Sequence, residues 1–393
     1  MDVLEQAVFV LRMNVRALRQ RIGTSLVIVI GIAGVVAVMI SVLAMAAGLV
    51  KTLHSSARED RVVVLRNGAS DETSSMLSRG SATTVMDAAG VKRDSAGEPI
   101  ASAEAIVVVS LAMKKDDANA QINIRGLGPY AEALRPEVRI TDGRMFRPGL
   151  NELIVGKMAA VLFKGLDVGD QPMIGGRQWT VVGTFSSDSA HDSTLLTDAE
   201  TLMGAFSKNE YQSVTVQLES PSELAAFRDA LRVGASLPVD VFSEQEFFTR
   251  QSKTLRVVLK VIAYVVGGIM AFGAIFAALN IMYSAVSARA VEIATLRGIG
   301  YGPDAMVIAV LVETLTLALI GGAVGALLSW LVFNGQSLST MSGSGAQLVF
   351  ELAVTPTIVV IGIVWACAIG LLGGLLPALQ AARLPVVVAI RSI

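Results

Sequence analysis

The sequence predicts a membrane protein with four transmembrane α-helices and a large α+β extracytoplasmic domain between the first and second helix. Composition is the first observation: the 393 residues are 53% hydrophobic and only 17% charged, whereas soluble globular proteins carry about 25% charged residues. The second is a set of four apolar runs, each long enough to cross a bilayer as a helix of about 20 residues. The third is residues 51–255, a segment of mixed polarity that separates the first run from the other three.

An amphipathic helix is predicted for residues 1–21, ahead of the first apolar run. Its apolar and charged residues follow separate stripes at helical spacing: Leu4, Val8, Leu11, Val15 and Leu18 on one, and Glu5, Arg12, Arg16 and Arg19 on the other. Such a helix suits the headgroup layer, where its apolar face enters the lipid. A solvated helix packed on a partner protein is the alternative.

The apolar runs give the positions of the four spans. They are predicted at 22–50, 256–286, 305–333 and 356–380, with a cytosolic segment at 287–304, a short external loop at 334–355 and a cytosolic tail at 381–393. Pro356 suits the first turn of the last helix, where its missing N–H costs nothing. The first run is not predicted to be a cleavable signal peptide. Its apolar part before the small-residue triplet at 44–46 is more than 20 residues long, whereas signal peptides have apolar regions of about 7–15 residues.

Orientation follows from Lys and Arg near the ends of the spans. They occur in the N-terminal segment, in the 287–304 segment and in the tail: Arg12, Arg16, Arg19, Arg21, Arg289, Arg297, Arg383 and Arg391. The 334–355 loop has none. Because positive charge stays in the cytoplasm, both termini and the 287–304 segment are predicted to be cytosolic.

Residues 51–255 are predicted to mix strands and helices. Strand-like runs occur at 61–65, 105–113 and 213–218, and helical patterns at 222–232 and 243–261. Gly175-Gly176 permits the positive φ angles of a tight hairpin turn. Ser243 and Glu246 have the spacing of a capping box, so the last helix is expected to begin there and to continue into the second span.

Motifs of catalysis and cofactor binding are absent from the sequence. There is no phosphate-binding loop, since Gly156-Lys157 is followed by Met158, and no nucleophile elbow or H-E-x-x-H pair. Cys367, His54 and His191 offer too few ligands for a metal. Three carboxylates of the outer segment are interpreted as solvated loop charges: Asp188, Asp192 and Asp198. The net charge of −1 gives no argument for nucleic acid. We therefore expect a non-catalytic chain without a cofactor of its own.

Glu313 is the one charge inside the predicted third span. It lies about 13 Å along the helix, near the middle of a hydrocarbon core about 30 Å thick. A charge there is costly, so it should face protein or water and be paired or protonated. Asn280 falls at a similar depth in the second span and is the expected partner. An interhelical hydrogen bond is favoured over a substrate or proton site.

Small residues predict close packing of the last two spans. Gly321 and Gly325 in one, and Gly370 and Gly374 in the other, form G-x-x-x-G patterns that let helix backbones approach. The pattern is common in membrane helices, so it indicates packing and not a particular function.

Four stretches, taken in order, carry a family resemblance. They are "LRMNVRALRQRIGTSLVIVIGI" at 11–32, the modules "ITDGRMFRPGLNELIVGKMAA", "LDVGD" and "WTVVGTF" within 140–185, "EIATLRGIGYGPDAMVIAVLVETLTLALIGGAVG" at 292–325 and "LLPALQAARLPVVVAIRSI" at 375–393. Together with one span, a large outer domain and three further spans, they resemble the ABC transporter permeases typified by MacB, the lipoprotein-releasing LolC and LolE, and FtsX.

The resemblance implies a permease in the inner membrane of a bacterium that dimerises with a second copy or a paralogue. It also implies a separate cytosolic ABC ATPase dimer that binds ATP and Mg, whose closure moves the outer domains. Relatives of this kind can act with a periplasmic adaptor and an outer-membrane channel. MacB itself carries its ATPase ahead of the first span, where this chain has only residues 1–21.

The 287–304 segment is predicted to hold a short helix from Ser287 to Gly298. It offers a small apolar face of Val291, Ala294 and Gly298, and Arg289 and Glu292 stand at a spacing that permits a surface ion pair. Charges that merely hold the loop in the cytosol are the simpler interpretation, but they explain neither Glu292 nor the glycines that end the helix. The resemblance identifies it as the coupling helix that seats in the ATPase, with these residues as its contacts: Arg289, Val291, Glu292, Ala294, Leu296, Arg297 and Gly298.

Two functions stay open. One is a permease for export, efflux or lipoprotein extraction. The other is an FtsX-like signal transducer that switches an extracytoplasmic partner such as a cell-wall hydrolase. The outer modules "TDGRMF" and "VVG" favour transport. A stand-alone receptor is third, because no cytosolic segment is long enough for an output domain.

Overall fold

The computed structural model describes residues 22–55, 57–235, 237–341 and 346–383. The amphipathic helix predicted at 1–21 and most of the tail predicted at 381–393, including Arg391, lie outside the described residues. The chain divides into two compact units. The helical unit consists of the described residues up to Gly48, of Leu255–Gln336 and of the described residues from Leu352 onward. The sheet unit consists of Leu49–Thr254 and Ser337–Glu351.

The described residues form ten α-helices and thirteen strands. The helices are α1 (Ile22–His54), α2 (Arg79–Met86), α3 (Ala131–Leu134), α4 (Lys157–Leu162), α5 (Ala199–Ala205), α6 (Leu224–Asp229), α7 (Glu244–Ala288), α8 (Ala290–Gly298), α9 (Pro303–Phe333) and α10 (Pro356–Arg383). The strands are β1 (Arg61–Arg66), β2 (Ala101–Ala112), β3 (Asn119–Leu127), β4 (Arg139–Gly143), β5 (Glu152–Gly156), β6 (Met173–Ile174), β7 (Arg177–Gln178), β8 (Thr180–Ser186), β9 (Leu195–Asp198), β10 (Ser213–Gln217), β11 (Val239–Ser243), β12 (Ser337–Met341) and β13 (Gln347–Glu351).

Four of the described helices, α1, α7, α9 and α10, are long and apolar enough to cross a membrane. Helix α7 is longer than the span predicted at 256–286, because it begins at Glu244. The side chain of Ser243 accepts a hydrogen bond from the Glu246 N–H at 3.1 Å, and Glu246 accepts one from the Ser243 N–H at 3.1 Å. This reciprocal pair is a capping box, which satisfies two backbone donors and fixes the start of the helix.

The long helices of the helical unit share one apolar core. Val36, Met39 and Ile40 of α1 are fully buried and share one apolar core with residues of α7, α9 and α10. Helix α7 contributes least to this core: Ile269, Phe272 and Phe276 on its surface are each exposed by more than 60%. In a membrane such residues face lipid or another protein.

Glycines mark where the helices of this unit approach most closely. A Cβ at Gly321 would lie 2.9 Å from the Val29 carbonyl oxygen, and one at Gly325 would lie 2.5 Å from the Ala33 carbonyl oxygen. On α10, a Cβ at Gly370 would lie 2.5 Å from that of Ala318, and one at Gly374 would lie within 3 Å of Thr314 atoms. The first pair of glycines therefore admits α1, and the second pair admits α9.

A mixed sheet of nine strands forms the sheet unit, in the order β11-β1-β10-β2-β3-β9-β5-β8-β4. Neighbouring strands are antiparallel except β3 with β9 and β5 with β8. Two apolar cores lie along it. One surrounds β1, β10 and β11 with Phe227 of α6, and the other surrounds β5, β8 and β9 with Trp179. The separate hairpin β6-β7 turns through Gly175 and Gly176, whose φ angles are 60° and 74°.

The sheet unit also includes part of the segment predicted as a short external loop at 334–355. Strands β12 and β13 pair antiparallel there, with Ser337 opposite Glu351. The Val349 N–H donates to the Ser193 hydroxyl at 2.9 Å, and the side chain of Phe350 is buried. The loop prediction was therefore incomplete, because two five-residue strands, one largely exposed and the other with three consecutive buried residues, lack the alternating pattern that marks a strand.

Candidate functional site

The candidate site is the junction of α7, α8 and α9. Arg289 stands alone between α7 and α8, with φ −106° and ψ 10°, and so breaks the helix. Helix α8 ends at Gly298 and is followed by Gly300, whose φ of +105° is accessible mainly to glycine. Gly302 and Pro303 then begin α9, with Pro at the first turn. The chain thus makes a short separate helix between two long ones.

Helix α8 has an inner and an outer face. Ile293 and Ala294 are buried, whereas Val291 is 47% and Ile299 is 73% exposed. Thr295 and Gly298 are also exposed and complete the outer stripe. The predicted face of Val291, Ala294 and Gly298 is thus wrong at Ala294, which packs into its own helical unit. Leu296 and Arg297 are half-buried, and Glu292 is exposed.

Arg289 and Glu313 form a buried ion pair at this junction. Arg289 Nη1 donates to Glu313 Oε2 at 3.1 Å, and the two side chains are 10% and 8% exposed. The predicted Glu313–Asn280 pair is wrong, because Asn280 lies on the exposed side of α7. The predicted surface pair of Arg289 with Glu292 is also wrong. From the helix break, the long Arg289 side chain reaches into the helical unit instead.

A small cavity of about 30 Å³ adjoins this pair. Its walls include Met282, Ile293 and Met306 together with the two charged side chains. A volume of this order holds one or two water molecules, and the charges supply polar partners for them. Methionine side chains adapt to changes of shape at low cost. The junction therefore combines a fixed charge contact with a wall that can repack.

The sheet unit contains a second set of buried charges that the sequence analysis missed. Arg61, at the start of β1, pairs with Glu244 at 2.6 Å and with Glu137 at 2.8 Å. Glu104 lies between two further arginines, Arg125 and Arg135. The sequence signal for this buried charge was Arg61, which directly precedes the apolar run "VVVL". Its partners Glu137 and Glu244 could not be found in this way, because they come from distant parts of the chain.

Burial and these charges together shift the pKa values of three groups in the sheet unit. Burial raises the pKa of Glu244, although Arg61 opposes the shift. Burial would likewise raise the pKa of Glu104, but Arg135 and Arg125 together hold it below its usual value. Burial lowers the pKa of His191 well below 6.5, and Arg125, Arg135 and Arg61 lower it further. The buried pair of Arg61 and Glu244 also fixes the first residue of α7 to the first strand.

The three carboxylates interpreted as solvated loop charges have structural contacts. Asp188 pairs with Lys157 at 2.8 Å, which lowers the pKa of Asp188. Asp192 is buried and accepts hydrogen bonds from the N–H and hydroxyl of Ser187 at 2.6 and 2.9 Å. Asp198 caps α5 by accepting from the Thr201 N–H at 2.9 Å. The interpretation was wrong for Asp192 and Asp198, whose partners complete local turns.

The part of the chain that the structure describes contains no cluster of candidate metal ligands. No group of three or more His, Cys, Asp or Glu side chains is placed there to hold an ion. Cys367 is a half-buried free thiol in α10.

Comparison with known proteins adds family relationships to this geometry. Residues 22–233 match the MacB-like periplasmic core domain, and residues 264–386 match the FtsX-like permease C-terminal domain. The uncharacterized ABC transporter permease YknZ of Bacillus subtilis (strain 168) is 25% identical over 278 residues, which are 65% of this chain. The match covers 66% of YknZ, just under two thirds of its length.

Two solved structures are also similar to parts of the chain. The extracellular domain of the noncanonic ABC-type transporter YknZ from Gram-positive bacteria has 19% identity and a TM-score of 0.35, and the match covers 46% of this chain and 99% of that one. The periplasmic region of MacB from Actinobacillus actinomycetemcomitans has 12% identity and a TM-score of 0.37, with coverage of 53% and 95%.

Proposed function

Because the chain belongs to the ABC transporter permeases of the MacB and FtsX type, we propose that it couples a separate cytosolic ABC ATPase dimer to movement of its own sheet unit. ATP and Mg would be bound by that ATPase, since this sequence has no phosphate-binding loop. Movement of the sheet unit would drive export, efflux or the extraction of a lipoprotein.

The outer stripe of α8 carries this proposal. Val291, Thr295 and Ile299 lie on one side of a short helix, and two of them are large apolar side chains exposed by 47% and 73%. A helix that presents such anchors fits a hydrophobic groove of a partner. Glu292, exposed beside them, and Arg297, half-buried, would lie at the rim of the contact.

Force applied to α8 has a defined route into the helical unit. Ile293 and Ala294 bury its inner face, and Arg289, the residue directly before α8, pairs with Glu313 of α9. Helix α7 continues unbroken from Ala288 back to Glu244, a length of about 68 Å at 1.5 Å per residue. The Glu244–Arg61 pair fixes its far end to β1. We infer that α7 is the strut that carries the motion.

Assembly and orientation are part of the proposal. The exposed apolar face of α7 would contact a second permease copy or a paralogue in the membrane. Both termini and α8 would be cytosolic, and the sheet unit would be extracytoplasmic. A periplasmic adaptor and an outer-membrane channel would join if the task is efflux across two membranes.

Charge placed on the outer stripe tests the docking. Ile299→Asp and Val291→Asp should abolish co-purification of the ATPase and ATP-dependent activity, because a carboxylate would be buried at the contact. Val233→Asp, at a valine of the sheet unit that is 79% exposed, is the matched control and should change neither. Normal ATPase recovery with both α8 variants would exclude docking through this stripe.

Signal transduction is the second candidate, as the FtsX-like domain at 264–386 allows. The two functions share the ATPase and differ in the extracytoplasmic partner. Purification of the complex from native membranes separates them: an adaptor and a channel support efflux, whereas a cell-wall hydrolase in the complex supports signalling.

A further inference from the structure

A groove in the sheet unit lies where α1 ends and α7 begins. It is formed by the end of α1, by α6, by β11 and by the first two turns of α7, and its volume is about 550 Å³. Pockets that hold small ligands have volumes of about 300–1,000 Å³. The groove is separate from the α8 junction, and the proposed function assigns no role to it.

Arg250 is the main charge that the groove leaves available. Glu246, the carboxylate in its wall, is already engaged by Arg228 and by the Ser243 N–H. The guanidinium carbon of Arg250 lies 4.6 Å from the centre of the Phe242 ring, and Arg250 forms no ion pair with a carboxylate of the described residues. Stacking on an aromatic ring fixes the guanidinium plane and leaves its N–H groups at the edge to bind an anion.

His54 closes one side of the groove and joins the two helices. A carbonyl can only accept, so His54 Nδ1 donates to the Val50 carbonyl at 2.9 Å, and Nε2 then accepts from the Thr249 hydroxyl at 2.9 Å. This pair of bonds sets the end of α1 against the second turn of α7. The wall that faces Arg250 is therefore built from hydrogen-bonded side chains of two helices.

The sequence places this groove at the depth of lipid headgroups. His54 lies four residues, about 6 Å, beyond Val50, the last residue of the uncharged run of α1. The headgroup layer on each side of a bilayer is about 5–8 Å thick. The His54–Thr249 bond brings the second turn of α7 to this level, and Arg250 lies six residues, about 9 Å, ahead of the span predicted to begin at residue 256, at the outer edge of the headgroup layer. Lys51 and Lys253, one turn away on the two helices, are exposed and add positive charge.

We propose that this groove binds the phosphate of an anionic phospholipid in the outer leaflet, with Arg250 as its principal ligand. The proposal rests on the proposed orientation, in which the sheet unit is extracytoplasmic. Guanidinium binds phosphate through two parallel hydrogen bonds, which makes a stacked arginine better suited than a mobile lysine.

Lipid binding to the full chain in neutral detergent tests the proposal. Phosphatidylglycerol with a fluorescent acyl chain should bind saturably, about tenfold more tightly than labelled phosphatidylcholine. Arg250→Gln should remove this preference, and Arg250→Lys should keep only part of it, because the charge remains without the planar fork. Arg232→Gln removes an exposed arginine close in sequence that does not line the groove, and should change affinity less than twofold. Gel filtration and thermal unfolding confirm that each variant is folded.

Three results would overturn the proposal. Equal losses in Arg250→Gln and Arg232→Gln would indicate attraction by general surface charge. Unchanged preference in folded Arg250→Gln would exclude the groove. Displacement of the labelled lipid by inorganic phosphate at equal concentration would indicate a free-anion site and not a lipid site. If the sheet unit instead proves to be cytosolic, the proposed orientation fails first, and the binding assay still reports whether Arg250 selects anionic lipid.

Discussion

The Arg289–Glu313 pair is the residue-scale contact on which coupling depends. Both side chains are buried, so each needs the other to offset the cost of leaving water. Removing one partner of such a pair is strongly destabilising, whereas replacing both with apolar residues is often neutral. The pair thus lends itself to a double-mutant test.

Glu313→Gln is expected to lower the free energy of unfolding by about 3 kcal/mol, because the Arg289 charge loses its carboxylate partner. Arg289→Met combined with Glu313→Leu should recover most of this loss, but ATPase-driven activity should stay low because α8 is no longer tied to α9. Thermal unfolding and activity are measured together. Full activity in a stable double variant would show that the pair serves stability alone.

His191 gives the sheet unit a pH dependence. Its folded pKa is depressed by burial and by nearby arginines, so the unfolded chain binds more protons below pH 6.5. Its contribution to stability is therefore complete above pH 6.5 and is lost as the pH falls below it. Glu244, with its raised pKa, has the opposite sign, so the comparison must isolate His191.

His191→Gln should flatten the fall in melting temperature of the full chain between pH 7.5 and 5.5, relative to the unaltered protein. Measuring both proteins across this range cancels the contribution of Glu244, which is present in each. Identical slopes would contradict the assigned burial of a neutral imidazole.

At the scale of elements, close approach of helices depends on missing side chains. A Cβ at Gly325 would lie 2.5 Å from a backbone oxygen of Ala33, which cannot move away by changing a rotamer. A Cβ at Gly31 would meet nothing within 4 Å. The two positions therefore differ in packing although both are glycines in apolar helices.

Gly325→Ala should destabilise the chain by about 1–3 kcal/mol, because α1 and α9 must separate. Gly31→Ala is the control and should be neutral or slightly stabilising, since alanine is the better helix former. Melting temperatures in the same detergent give the comparison. Equal effects of the two substitutions would contradict the close α1–α9 contact.

The four long apolar helices could be predicted because bilayer thickness sets the length of an apolar helix. The start of α7 could be predicted because Ser243 and Glu246 carry a local capping signal. The partner of Glu313 could not be predicted from the sequence. Asn280 was chosen by depth along a straight helix, whereas the structure breaks the helix at Arg289 and directs that side chain inward. Ala294 was misassigned for a related reason: spacing along α8 defines a face but does not say which side of the helix meets the rest of the chain.

At the scale of the whole molecule, the account requires that the sheet unit and α8 lie on opposite sides of the membrane. Leu150 of the sheet unit and Ile299 are both well exposed. With Cys367 replaced by Ala, a cysteine at 150 should react with an impermeant reagent in intact cells, and one at 299 should react only after lysis. The reverse pattern would contradict the orientation.

The central claim is that the outer stripe of α8 contacts the ATPase, and site-specific photo-crosslinking in native membranes tests it most directly. A photoreactive residue at position 299 should form an adduct with a nucleotide-binding subunit, whereas one at position 294, where Ala294 is buried within this chain, should form none. An ATPase adduct at 294 with none at 299 would contradict the account.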